Sequence, residues 1–210
     1  MGITPIRESS NSDRFRELLE FNYHRTSLVQ MSTGSSIPLL RHHLWLVVRG
    51  MVKLGCVTIH GDEVLLGLAG PNELFGESLA GPDAYEATTL TDCDLLCLSQ
   101  AELDKHPGFI PLFLEAVCQR QRQSQAMLAL LGLKRIEDRV RGFLELLAIE
   151  YGVTTAQGLR LTPKLTHQEI ASALGTTRVT VTRIIGQLRE MGWLTIDSQR
   201  SITLPPLPRR

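Results

Sequence analysis

No sign of charge predominates in this chain: 22 Lys and Arg face 22 Asp and Glu over 210 residues, for a formal net charge of zero. A long-range field of one sign is therefore excluded as the basis of function, and any charged surface must be local. Cysteine is scarce as well. Cys56, Cys93, Cys97 and Cys118 are the only four, and a chain long enough to bury a core reads them as buried thiols, not as a disulfide framework. Cys93 and Cys97 lie in DCDLLCL, whose alternation predicts a strand; four residues of strand span roughly 13 Å, so one metal could not take both as neighbouring ligands. There is no apolar run long enough to cross a bilayer. The first twenty residues, with Arg7, Glu8, Asp13, Arg14, Arg16 and Glu17, hold no secretory signal, so a cytoplasmic protein without membrane contact is expected. Internal repeats, low-complexity tracts, a P-loop, a dinucleotide fingerprint and a Ser-His-Asp arrangement are all missing.

The sequence divides into two textures. From about Leu44 to Leu98 the runs LWLVVRG, MVKLGCVTI, EVLLGLAG and ATTLTDCDLLCL are separated by turns at His60-Gly61-Asp62 and Gly70-Pro71-Asn72, which favours an antiparallel roll or barrel. After Pro107 and Pro111 the stretch PLFLEAVCQRQRQSQAMLALLGL lacks internal glycine and proline until Gly132 and predicts a long helix. Apolar residues mark its ends, while Gln119 to Gln125 is polar throughout. A helix buried by its own domain is not expected to carry such a belt, so a dimer seam with a polar interruption is the preferred reading over a solvated helix. Arg135 to Tyr151 reads as an amphipathic helix through Ile136, Val140, Phe143, Leu144 and Leu147, and Gly152 to Gly158 as a loop.

The strongest signal is THQEIASALGTTRVTVTRIIGQLREMGWLTI. A short helix from His167 to Leu174 ends at Gly175, which can adopt the left-handed turn conformation, and Thr176 or Thr177 can cap the next helix. In that second helix Val181, Ile184, Ile185 and Leu188 share the core side. Val179, Thr182, Arg183 and Gly186 lie opposite, with Arg178 at the N-terminal edge. This is a helix-turn-helix with a basic reading face, and WLTIDSQRSITL predicts a two-stranded wing around a Ser-Gln-Arg turn. Arg178, Val179, Thr182 and Arg183 are the candidate base contacts on double-stranded DNA, and Thr166, Gln168, Thr177, Thr180 and Arg200 the candidate backbone contacts. Charge supports the assignment: from Arg160 onward eight Lys or Arg stand against Glu169, Glu190 and Asp197.

These residues resemble the CRP/FNR regulators. RVTVTR (Arg178 to Arg183) followed by IIGQLRE is the specific part, and the last seventy or so residues are most similar to the cyanobacterial NtcA class. LWLVVRGMVKL, GDEVLLGLAGPNELFGE and DCDLLCLSQAEL extend the resemblance to the N-terminal region. It implies an α+β chain: a cyclic-nucleotide-binding-type β-roll over 1–108, a dimerisation helix over 109–134 and a winged helix-turn-helix over 135–210. It further implies a homodimeric activator on a pseudo-palindromic operator, with RNA polymerase as a partner. Val179, where cAMP-responsive members have Glu, points to GTA-type half-sites. No cofactor is expected. Asp83, Ala84, Tyr85 and Glu86 replace the Arg that clamps cyclic phosphate, which disfavours cAMP. Of the two arginines that hold 2-oxoglutarate in NtcA-like proteins only Arg120 is matched, and Gln125 replaces a helical Glu. Arg120, Gln125, Phe75 and Gly76 are the candidate effector contacts. The cysteines of FNR-type iron-sulfur centres are missing from the N-terminal tail.

Two rival readings stand beside this one. A cupin-type metal enzyme could use a β-roll, but His42 and His43 would point to opposite faces of a strand, and His24, His60, His106 and His167 lack ligand spacing. An effector-independent regulator controlled by protein partners is the other.

Overall fold

The computed structural model describes residues 28–81, 84–99, 101 and 110–206. The chain divides into two compact units, with the boundary between Ser124 and Gln125.

The first unit is a β-roll of two antiparallel sheets. Its strands are β1 (Val29–Met31), β2 (His43–Arg49), β3 (Val52–Val57), β4 (Glu63–Ala69), β5 (Leu74–Phe75), β6 (Tyr85–Thr89) and β7 (Cys93–Ser99). One sheet has the order β1-β7-β2-β5 and the other β4-β3-β6. The unbroken apolar run of β2 has a physical cause, since both faces of the strand are buried. Trp45 and Val47 point into a core with Val52, Leu54, Phe75 and Leu95. Leu44, Leu46 and Val48 point the other way, toward Leu96, Leu98 and the first turns of helix α1 (Ile110–Leu131) at Leu112, Phe113 and Ala116. The predicted turn between β3 and β4 forms at Thr58 to Asp62, where the Thr58 hydroxyl accepts from the amides of His60 and Asp62.

Three expectations for this unit need correction. Of the four thiols only Cys93 is buried, and Cys118 is exposed. His42 is not in a strand but in a turn with φ of 62°, and β2 begins at His43, so the two imidazoles do not alternate across a sheet. Nor is the polar belt of α1 wholly solvent-facing. Gln123 is buried, and Arg120 donates to Leu68 O and Gln123 Oε1, each at 2.7 Å, while Gln123 Oε1 also accepts from Leu68 N at 3.2 Å. The helix lies so close to β4 here that a Cβ on Gly67 would stand 2.5 Å from Gln123 Oε1. Polar residues line this contact because they hydrogen-bond backbone groups of β4 at Leu68.

The second unit packs α2 (Ile136–Tyr151), α3 (His167–Leu174) and α4 (Arg178–Glu190) against a sheet of four strands, β8 (Gly152–Thr155), β9 (Gly158–Leu161), β10 (Thr195–Ile196) and β11 (Ile202–Leu204), in the order β10-β11-β9-β8. The segment predicted as a loop is instead strand β8 (Gly152–Thr155), joined by Ala156 and Gln157 to β9 (Gly158–Leu161). Gly158 has φ of 132°, and a Cβ there would collide with the backbone of Leu204 on β11 (Ile202–Leu204). The buried residues of α2 are Val140, Phe143, Leu144, Leu147, Ala148 and Tyr151, as the helical periodicity requires. Among the described residues no helix is long and apolar enough to cross a membrane.

Candidate nucleic-acid interface

The two helices of the reading element are defined by their ends. Thr166 caps α3 by accepting from Glu169 N at 3.2 Å, and Glu169 Oε2 accepts from Thr166 N at 2.8 Å, a reciprocal capping box. Gly175 ends the helix with φ 60° and ψ 45°, the left-handed conformation that glycine adopts at least cost. Thr177 then caps α4, its hydroxyl accepting from Thr180 N at 3.2 Å. Thr177→Ala should therefore lower stability by roughly 0.5–2 kcal/mol, read as a reduced thermal midpoint with α4 otherwise retained.

Between these caps the faces of α4 separate. Val181, Ile184, Ile185 and Leu188 are buried, as are Ile170, Ala171, Ala173 and Leu174 of α3. Arg139 holds the pair of helices to the rest of the unit by donating to Leu174 O and Leu133 O. On the outer face Arg178, Val179, Thr182 and Arg183 are exposed. Val179 is 78% exposed, which for an aliphatic side chain marks surface available to a partner. Nothing stands within 4 Å of a Cβ added to Gly186, so another backbone can approach the helix at this point. Arg183 bonds Gln187 Oε1 at 3.0 Å, one turn along.

The wing is β10 (Thr195–Ile196) and β11, paired Thr195 to Thr203 and Ile196 to Ile202. Its turn is organised by Asp197, whose Oδ1 accepts from Gln199 N and Ser201 N, each at 2.8 Å. Arg200 occupies this turn with φ of 62° and an exposed side chain. Lys164 borders the same small cleft as Arg200.

Two residues here were not singled out by the sequence reasoning. Asp197 counted only as a negative charge, although its place beside Ser-Gln-Arg is the signature of an Asx-type turn. His167 counted only as a lone histidine, yet its Nδ1 lies 2.8 Å from Thr182 Oγ1 on α4. Burial, and secondarily the charge of Arg178, hold its pKa below the ordinary value of 6.5.

Of the candidate effector contacts, Arg120 lies beside Phe75, its Nη2 3.5 Å from Leu74 O. Phe75 is fully buried in the roll core, Gln125 is exposed, and a Cβ on Gly76 would meet His43 O. Arg120 is turned toward Leu68 and Gln123, with Glu73 Oε2 at 3.8 Å from its Nη2. Burial pushes the neighbouring Tyr85 phenol up to about 12, an effect that Arg120 opposes. Asp83 lies outside the described residues, as do His24 and His106. Among the described residues no three His, Cys, Asp or Glu come together as a metal site would require. His43 Nδ1 lies 2.9 Å from Arg41 O, and His60 is in the β3–β4 turn.

Comparison with known proteins agrees with this geometry. The family of Crp-like helix-turn-helix domains matches residues 138–209, and that of cyclic nucleotide-binding domains matches 40–106. The global nitrogen regulator of Synechocystis sp. is 34% identical over 166 residues, 75% of this chain and 74% of that protein. That of Nostoc sp. is 31% identical over 202 residues, 85% of this chain and 91% of its own length. Among solved structures, a CRP/FNR-family transcriptional regulator from Thermus thermophilus superposes with a TM-score of 0.68 at 27% identity, covering 85% of this chain and 93% of that one. With its roll, its capped reading helix and these relatives, the chain belongs to the CRP/FNR family of DNA-binding transcription regulators.

Proposed function

We propose that the protein acts as a homodimer on a pseudo-palindromic operator, with Arg178, Val179, Thr182 and Arg183 reading base edges in the major groove. Gln168, Thr166, Thr177, Thr180 and Arg200 contact the backbone. The observation that carries this is the exposed face of α4, which presents two guanidinium groups, an aliphatic side chain and a threonine while the helix buries four aliphatic residues behind it. Arginine supplies two parallel donors for guanine O6 and N7, and Val179 suits a thymine methyl, consistent with GTA-type half-sites. Random-sequence selection with the intact protein tests the reading. It should return paired half-sites about one helical turn apart, and a pool without palindromic enrichment would overturn it.

Dimerisation is assigned to α1 within 109–134. Ile110, Leu114, Val117, Gln121, Ser124, Leu128 and Leu131 recur at alternating steps of four and three residues, and all are exposed. That is the spacing of a coiled-coil seam, with Gln121 and Ser124 as its polar centre. Leu114 is 63% and Leu128 70% exposed, more than an unpartnered helix face usually leaves uncovered in such a row. Leu114→Glu is expected to weaken the dimer by roughly tenfold or more, measured by sedimentation at micromolar protein.

Regulation without a small effector is the reading favoured for the roll, because Arg120, the matched arginine of the NtcA class, is already committed to Leu68 O and Gln123. Thermal midpoints should be unmoved by cAMP or by 2-oxoglutarate. A ligand held by the folded state alone must raise the midpoint, so a rise with either compound would reject this reading. Because a transcription regulator acts where its DNA is, we assign the protein to the cytoplasm, with contact to RNA polymerase as the proposed route to activation.

A further inference from the structure

Thr182 has one hydroxyl hydrogen, and the structure determines where it goes. Its Oγ1 lies 2.8 Å from Arg178 O, one turn back on α4, and a carbonyl can only accept. The hydrogen is therefore donated there. The same oxygen lies 2.8 Å from His167 Nδ1, and with its hydrogen used it must accept, so the imidazole carries its proton on Nδ1. His167 is the first residue of α3, immediately after the cap. It thus ties the helix that positions the reading element to a side chain on the reading face, and it is the only histidine from Gln125 onward.

Fixing both ends of this relay has a consequence for recognition. A threonine free to rotate can offer a base a donor, an acceptor or a methyl group, and so discriminates poorly. Here the donor is spent on the helix backbone and one acceptor direction on the imidazole. The rotamer is set, and the γ-methyl is the part of the exposed side chain left uncommitted.

We infer that His167 is a positioning residue for base readout: by locking the Thr182 hydroxyl against α4, it makes Thr182 a reader of a thymine methyl group. The inference rests on the proposed reading of DNA by the exposed face of α4. A methyl reader recognises thymine against cytosine and against uracil, and only the second comparison isolates the methyl.

The test uses the full-length protein and the operator returned by selection, with each thymine replaced in turn by deoxyuridine. Val179→Ala identifies the thymine read by Val179; at a second thymine in each half-site the unaltered protein should show a loss of about fourfold in affinity, the worth of one buried methyl group. Thr182→Ser, which keeps the hydroxyl and removes the methyl, should abolish that loss, while Thr182→Val should keep it. His167→Ala should reduce the loss to less than about twofold, and His167→Asn, whose amide can donate in place of Nδ1, should restore it. Adding His167→Ala to Thr182→Val should change nothing, because valine has no hydroxyl to lock. Thermal midpoints of each variant separate this from unfolding. An equal uracil penalty at that second thymine in the unaltered protein and His167→Ala overturns the positioning role, and a penalty there that survives Thr182→Ser overturns the assignment of Thr182. Failure of selection to return any operator would instead remove the reading of α4, and this inference with it.

Discussion

Arg178→Ala is expected to cost roughly 1–3 kcal/mol at each half-site, hence roughly 2–6 kcal/mol on a symmetric operator, and to leave binding to unrelated DNA nearly as strong as before. Three features of the structure make this a test of readout and not of folding. The side chain is exposed, the cap of α4 comes from Thr177, and the bond from Thr182 goes to the backbone carbonyl of residue 178, which alanine retains. Arg200→Ala supplies the contrast. Its guanidinium projects from the wing turn, so its removal should weaken operator and scrambled DNA alike and make the salt dependence shallower. Competition binding against both DNAs at several salt concentrations measures both effects. Equal losses on the two DNAs for Arg178→Ala would remove it from base recognition.

Arg120→Ala is expected to destabilise the roll by roughly 3–5 kcal/mol, the range for breaking one partner out of a buried charged pair. The Arg120 and Glu73 side chains are 16% and 8% exposed, so water cannot replace the lost guanidinium easily. Leu68 O would lose the bond from Arg120 at the same time. Since the change removes a guanidinium 3.8 Å from the buried Glu73 carboxylate, Arg120→Met combined with Glu73→Gln should recover much of the stability. Urea unfolding of the three proteins decides the matter. A double variant no more stable than Arg120→Ala would place the contribution in the hydrogen bonds to β4 instead of the charge pair.

The helix-turn-helix was legible from sequence because its determinants are local: a glycine with a left-handed turn to fill, a threonine followed by a helix, and aliphatic residues at one-turn spacing. The wing was legible for the same reason. Strand β8 was not, since four residues between Gly152 and the Ala156-Gln157 turn are too few to show a period of two. Its pairing with β9 is what makes it a strand. Nor could composition say which way the polar belt of α1 points. Arg120 and Gln123, three residues apart, turn to the roll, while Gln121 and Ser124 face outward. The role of His167 was hidden because it depends on Thr182, fifteen residues later and on another helix.

The outward pair Gln121 and Ser124, at the middle of the proposed seam, has a consequence for dosage. An all-apolar row would hold two protomers together at any cellular concentration, whereas polar residues at its centre lower the affinity while specifying register. If protomers exchange in the working range, operator occupancy grows with the square of protein concentration, and a twofold change in expression becomes about a fourfold change in bound operator. The seam then sets a threshold for the genes under control. Replacing Gln121 and Ser124 by leucine should convert the quadratic binding isotherm to a linear one.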